Sequence, residues 1–268
     1  MCPGAMIRWM ADSHTSVRPF LGLEGPLAIA HRGGGAERCE NTMAAFEHAV
    51  GLGYRCAETD VHASRDRVAV IYHDDDLDRL TGHPGPLAAR DWRELSTFRV
   101  NGTEPIPRLE DVLGTWPDLR LVVDPKTDDA VGPLIEALRR TNARDRVCVG
   151  SFSAHRLRWI RADAPGYTSC SPFEVIRLRA ESWSVRMGPL HADCAQVPPR
   201  QPLLGDLSIP VVDAAFVRAA HARGMPVQVW TVDEEAEMER FLDLGVDGIM
   251  SDQVTRLKAV FDRRNVWR

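Results

Sequence analysis

Residues 28–42, AIAHRGGGAERCENT, begin as a buried strand and break off in a histidine, an arginine and three glycines. The apolar run LAIAH (27–31) has strand length, and the segment after it, NTMAAFEHAVGLG, carries Met43, Phe46, Ala49 and Val50 at helical spacing. Thr42 stands where an N-cap belongs, and a glycine closes the segment. A strand whose end carries ionisable residues and leads into a helix is the repeating unit of a parallel α/β sheet.

The same alternation runs outward from this stretch. CAETDVH (56–62) and VAVIYH (68–73) read as strands with a short connection, then RLEDVLGTW as a helix, LRLVVDPK (119–126) as a strand and AVGPLIEALRRT as a helix. VCVGSF (147–152), YTSCSP (167–172), a weak strand at DCAQVP, PVQVWTV (226–232) and GIMSD (248–252) continue the series. Helices are expected at HRLRWIRAD, over most of 173–192, and at AAFVRAAHARG, EEAEMERFLDLG and VTRLKAVFDRR. Roughly eight strand–helix units make a closed (β/α)8 TIM barrel, α/β in class, as one domain over residues 26–268. An open doubly wound sheet fits less well, because HRGGGAE lacks the G-x-G-x-x-G spacing that opens a dinucleotide-binding helix. Residues 74–107 depart from the repeat and form a short excursion after the second strand region, near the barrel mouth. Residues 1–25 form an N-terminal extension without a readable pattern.

Composition narrows the partners. Hydrophobic residues make up 44% and charged residues 26% of the 268, the balance of a globular domain. With a formal net charge of −5 there is no broad basic face for a nucleic-acid backbone. No apolar run reaches the ~18 residues of a membrane span, and the first 25 residues lack the apolar core of a secretory signal, so a cytoplasmic location is expected. Cys2, Cys39, Cys56, Cys148, Cys170 and Cys194 include no C-x-x-C pair and read as reduced, mostly buried small residues. No feature sets an oligomeric state.

In such a barrel the C-terminal strand ends line the active site. His31 and Arg32 follow the first strand, Glu58 and Asp60 lie on the second, and His73 closes its hairpin partner. Asp124 and Lys126 lie on the next strand, and Trp230 near the end of the seventh. Glu58 and Asp60, two apart on a strand, point to one face and repel unless a cation lies between them. Asp124 is placed to join them, and three hard oxygen donors without cysteine favour Mg2+, Ca2+ or Mn2+ over zinc. His31 and His73 have the makings of a general acid and base, since imidazole titrates near neutral pH. Arg32 and Lys126 add fixed positive charge, so the set describes a site for one small anion such as a phosphoryl group. Gly33–Gly35 serve a tight turn or a close approach to phosphate.

HRGGGAERCENT, AETDVHASRDRVAVIYHDDDLDRLTG, IPRLEDVL, VQVWTVD and GVDGIMSD, in this order over residues 28–253, together resemble the glycerophosphodiester phosphodiesterase family. The resemblance implies a TIM barrel that hydrolyses glycerophosphodiesters, its small-molecule substrates, to an alcohol and glycerol 3-phosphate with one divalent cation. It implies that His31 and His73 are the acid–base pair, and that Glu58, Asp60 and Asp124 are metal ligands. Arg32 and Lys126 become phosphate contacts, Glu40 and Asn41 line or support the substrate site, and Trp230 walls the pocket. The attacking group is water or the glycerol 2-hydroxyl.

Two positions depart from the family pattern. Asp124-Pro125-Lys126 stands where an E-x-K pattern is common, an arrangement that also resembles the related phospholipase D toxins of spiders. Arg67 occupies a turn position often held by glycine. Two alternative functions follow from the same residues: a lysophospholipase D-like activity, which requires an apolar channel near the mouth, and a non-catalytic phosphodiester-binding protein on the same fold.

Overall fold

The computed structural model describes residues 25–164, 166–185, 187–202 and 208–268. The expected extension over 1–25, with Cys2, lies outside these residues apart from Gly25. Nine strands form the main sheet: β1 (Leu27–Ala30), β2 (Cys56–Ala63), β3 (Ala69–Ile71), β4 (Arg120–Pro125), β5 (Val147–Val149), β6 (Tyr167–Thr168), β7 (Ala195–Val197), β8 (Val227–Val229) and β9 (Gly248–Ser251). All but β3 pair in parallel, in the order β6-β5-β4-β2-β1-β9-β8-β7. A parallel bridge between Ser169 and Cys194 joins β6 to β7 and closes the barrel. The eight expected units are therefore present, and β3 is the antiparallel hairpin partner of β2.

Strand periodicity explains which side chains reach the interior. Ile29, Cys56, Val122, Cys148, Tyr167, Cys194 and Met250 pack together inside the barrel. Their neighbours Ala28, Ala57, Leu121, Val149, Ala195 and Ile249 belong to the cluster that includes helix residues such as Phe46, Leu134 and Phe261. On β2 this alternation turns Cys56, Glu58 and Asp60 inward, and on β4 it turns Val122 and Asp124 inward. β2 and β4 pair over six residues, with Asp60 opposite Asp124.

The loop after β1 turns sharply and packs tightly. Arg32, Gly33 and Gly34 all have positive φ. A Cβ on Gly33 would lie 2.8 Å from the Ala45 Cβ, and one on Gly35 2.9 Å from an Asp252 oxygen. The glycines thus serve the turn and its packing against the helix Met43–Gly51, whose N-terminus Thr42 caps as expected. Arg67 has φ 65°, so an arginine holds the left-handed turn before β3 that suits glycine.

Residues 74–107 form the expected excursion, with short helices at Asp78–Thr81 and Trp92–Leu95 and a small hairpin. Tyr72, Leu77, Leu80, Leu87, Leu95 and Phe98 give it an apolar cluster of its own. Two features differ from the sequence reading. The helix expected through most of 173–192 spans Pro172–Ser182 only, because the chain turns into a left-handed backbone at Ser184 (φ 68°) directly after the Trp183 cap. An antiparallel hairpin, Arg200–Pro202 with Ser208–Pro210, also stands beside the mouth.

Candidate active site

A cavity of about 600 Å³ opens at the C-terminal ends of the barrel strands. His31, Arg32, Glu58, Asp60, His73, Asp124, Lys126 and Trp230 all line it, so eight of the ten expected site residues share one space. Glu40 and Asn41 stand behind this lining and hold two of its members. Asn41 is 2% exposed; its amide donates to Asp60 Oδ2 (2.9 Å) and its carbonyl accepts from Thr59 Oγ1 (2.8 Å). Glu40 accepts from Arg32 Nη1 at 3.0 Å and from Arg79 Nη2 at 2.7 Å.

The two histidines are held alike. His31 Nδ1 lies 2.9 Å from Asp252 Oδ1, and His73 Nδ1 lies 2.6 Å from Asp74 Oδ1. A carboxylate on Nδ1 fixes the proton there and leaves Nε2 for exchange with a ligand. Arg79 pairs with Asp74 as well as Glu40, so a continuous run of charges links Arg32 to His73. His62, buried in β2, places Nε2 3.1 Å from the His73 carbonyl oxygen and supports that loop.

Charge balance is uneven across the carboxylates. Lys126 Nζ lies 2.6 Å from Asp60 Oδ1 and 2.9 Å from Asp124 Oδ2. Glu58 accepts from the backbone N–H of Arg32 (3.2 Å) and lies 3.7 Å from His31 Nε2. Arg32 Nε is 3.3 Å from Asp60 Oδ2, an ion-pair contact without hydrogen-bond alignment. Burial, and after it the neighbouring Asp60 charge, hold Glu58 above the usual carboxylate range. Burial pushes Asp60 the same way, but Lys126 and then Arg32 outweigh it and keep Asp60 below that range. Asp124 is held high by burial despite Lys126. For His31, burial opposes the charged ring most strongly, yet Glu58 and Asp252 together raise it above an ordinary imidazole.

The donor set suits a hard divalent cation: three carboxylates, two of them, Glu58 and Asp124, held high chiefly by burial. They do not surround one point, and among the described residues no three His, Cys, Asp or Glu side chains are gathered closely enough to hold an ion. Lys126 takes that place between Asp60 and Asp124, so an ion held by all three requires the ammonium to withdraw.

The opposite side of the cavity is apolar. Pro172, Val175, Ile176, Val197, Ile209 and Val211 line it, with Phe152 and Trp230 packed edge to face at 5.6 Å. The functional positions that sequence reading missed are Asp74, Arg79, Asp252 and this wall. Asp74 and Arg79 lie in the HDDDLDR run, where nothing separates one acid from the next, and Asp252 is 221 residues from the ring it holds.

Comparison with known proteins places this geometry. Residues 31–256 match the model of the glycerophosphoryl diester phosphodiesterase family. The chain is 38% identical to the probable glycerophosphodiester phosphodiesterase 2 of Mycobacterium tuberculosis, over 96% of this chain and 99% of that one. It is 28% identical to the human protein named lysophospholipase D GDPD1, over 86% and 84%. Among solved structures, a putative glycerophosphoryl diester phosphodiesterase from Silicibacter pomeroyi superposes with a TM-score of 0.76 at 21% identity, covering 94% of this chain and 99% of that one. An Oleispira antarctica phosphodiesterase, solved with the product sn-glycerol 3-phosphate, gives 0.73 at 22%, covering 89% and 97%. Barrel and relatives define the class as a phosphoric diester hydrolase. Within it, the chain belongs to the glycerophosphoryl diester phosphodiesterase family.

Proposed function

We propose that the protein hydrolyses glycerophosphodiesters to an alcohol and glycerol 3-phosphate, with His31 and His73 moving the protons and Glu58, Asp60 and Asp124 holding one Mg2+, Ca2+ or Mn2+ ion. The observation that carries this reading is the pair of aspartate-oriented histidines facing one cavity with three carboxylates, an arginine and a lysine. One imidazole takes a proton from the attacking hydroxyl and the other returns one to the departing alkoxide, which leaves poorly unprotonated. Arg32 and Lys126 offset the negative charge of the phosphoryl oxygens as it builds. Glu58, Asp60 and Asp124 would hold the cation, which would supply Lewis-acid charge to the phosphoryl group when bound. Glu40 keeps the Arg32 guanidinium aimed, Asn41 keeps Asp60 in place, and Trp230 walls the leaving alcohol.

The direct test follows glycerol 3-phosphate release from glycerophosphocholine, using chelator-stripped protein resupplied with Mg2+, Ca2+ or Mn2+. Release is expected to return with metal and to fall ~10²–10⁴-fold in both His31→Ala and His73→Ala, the loss typical of missing acid–base catalysis. Near-parental turnover by a folded His31→Ala protein would remove that residue from the mechanism.

The apolar wall favours a second substrate within the same chemistry, a lysophospholipid whose chain lies along Val175, Ile176, Val197 and Val211. The wall is built by the units after β5, β6 and β7, and residues 74–107 contribute nothing to the cavity lining. Each buried methylene contributes about 0.8 kcal/mol, so a chain reaching even three carbons into the wall favours lysophosphatidylcholine over glycerophosphocholine by more than tenfold in kcat/KM. Equal kcat/KM for the two compounds would exclude the chain from the wall.

A further inference from the structure

Among the described residues eight large apolar side chains are exposed, and seven of them, Phe152, Trp159, Phe173, Ile176, Trp183, Val185 and Met187, fall within 152–187. The eighth, Ile209, lines the cavity beside Phe152 and Ile176. Exposure of Phe152 (67%), Phe173 (69%) and Ile176 (61%) exceeds what scattered surface residues require, and their proximity makes a patch. Phe173 lies one turn before Ile176 on the Pro172–Ser182 helix, and Arg177 follows directly. Arg179 joins this helix to the cavity wall, and its guanidinium lies 4.9 Å from the Trp183 ring.

The charge of the same segment is opposite to that of the chain. Residues 152–187 hold six arginines against three acids, in a protein of net charge −5. Arg156, Arg161 and Arg179 are paired with Asp128, Glu174 and Asp213, while Glu181 is engaged by Arg223 and Asp163 by the Trp159 indole N–H. Arg158 and Arg177 are exposed. Aromatic and aliphatic side chains interleaved with arginine suit the boundary of a bilayer, where rings seat among headgroups and cations meet anionic lipid. A second copy would oppose like charge across a two-fold contact.

We infer that Phe152, Phe173, Ile176 and Ile209, with Arg177, form a surface that docks on anionic lipid and sets the cavity mouth against the bilayer. The partner is a lipid surface, and no helix among the described residues is long and apolar enough to cross a membrane. Docking stands apart from the reaction; only its use in delivering a lysophospholipid rests on the second substrate reading above.

Co-sedimentation of the full chain with phosphatidylcholine vesicles, with and without phosphatidylglycerol, tests the inference. Binding is expected to require phosphatidylglycerol and to weaken by at least about fivefold in Arg177→Glu and in Phe173→Glu, since one basic contact alone accounts for about that factor. Neither residue lines the cavity, so both variants keep the parental rate on water-soluble glycerophosphocholine, and an unchanged circular dichroism melt shows independently that they fold. No sedimentation with anionic vesicles, or equal sedimentation of parent and variants, would overturn the docking surface. So would a dimer in analytical ultracentrifugation that Phe173→Glu dissolves while vesicles go unbound, because the face would then belong to a second copy. Vesicle binding is measured without turnover, so this result and the hydrolase reading stand or fall separately.

Discussion

Asn41 shows how a single side chain prepares the site. It holds a left-handed backbone at φ 58°, donates its amide to Asp60 and accepts the Thr59 hydroxyl, all while 2% exposed. Asn41→Ala leaves the Thr59 hydroxyl and an Asp60 oxygen buried without these partners, at about 1–3 kcal/mol of unfolding free energy. Denaturant unfolding of the variant checks this, and a change under about 0.5 kcal/mol would show that water replaces the amide. At this scale the sequence was informative where covalent spacing does the work. Residues two apart on a strand must share a face, so Glu58 with Asp60 and Asp124 with Lys126 were legible. The Asp252 contact with His31 was not, because only barrel closure brings positions 221 residues apart together.

Among the elements, the Pro172–Ser182 helix is most sensitive to its first turn. Ser171 and Glu174 form a reciprocal capping box, and Glu174 also accepts from Arg161 and from the His191 N–H. Burial pushes this carboxyl up, but the Ser171 N–H, Arg161 and His191 outweigh it and bring it down to about 2. A depressed carboxyl contributes stability above its unfolded value near 4.5, lost as pH falls from there towards 2. The full contribution is about 3 kcal/mol. Urea midpoints taken against pH are therefore expected to fall less steeply below 4.5 in Glu174→Gln than in the parent, and parallel curves would contradict this. Neither end of this helix was legible: Ser171 and Pro172 read as the close of the strand YTSCSP, which hides the cap. Trp183, Val185 and Met187 sustain an apolar pattern although they face solvent, so periodicity overran the true end by several residues. The Arg200–Pro202 hairpin escaped for the reverse reason: Pro198, Pro199, Pro202 and Pro210 suppress any strand pattern there.

At the scale of the molecule, the count of alternating units was enough to indicate a barrel, since parallel strands joined by helices close at eight. Its thermal stability is expected to report the cation. An ion bound by the folded chain at a hundred times its Kd adds about 2.7 kcal/mol, a rise in Tm of about 5–10 °C for a domain of this size. Calorimetry with Mg2+, Ca2+ and Mn2+ measures it; Glu58→Gln is expected to abolish the rise, and an undiminished rise would take Glu58 out of the ligand set. Closure itself is unequal around the ring. β2 and β4 are laced over six residues, whereas β6 and β7 meet at the single Ser169–Cys194 bridge and β1 and β2 at the single pair Ala30–Ala57. The carboxylates stand on the first arc and the apolar wall rises beside the second. Under the proposed reaction, the ring divides into an arc that carries the carboxylates and an arc that meets the rest of the substrate. Substitutions in the latter can widen or exchange the range of alcohols and chains admitted, generation after generation, without disturbing a single reacting group.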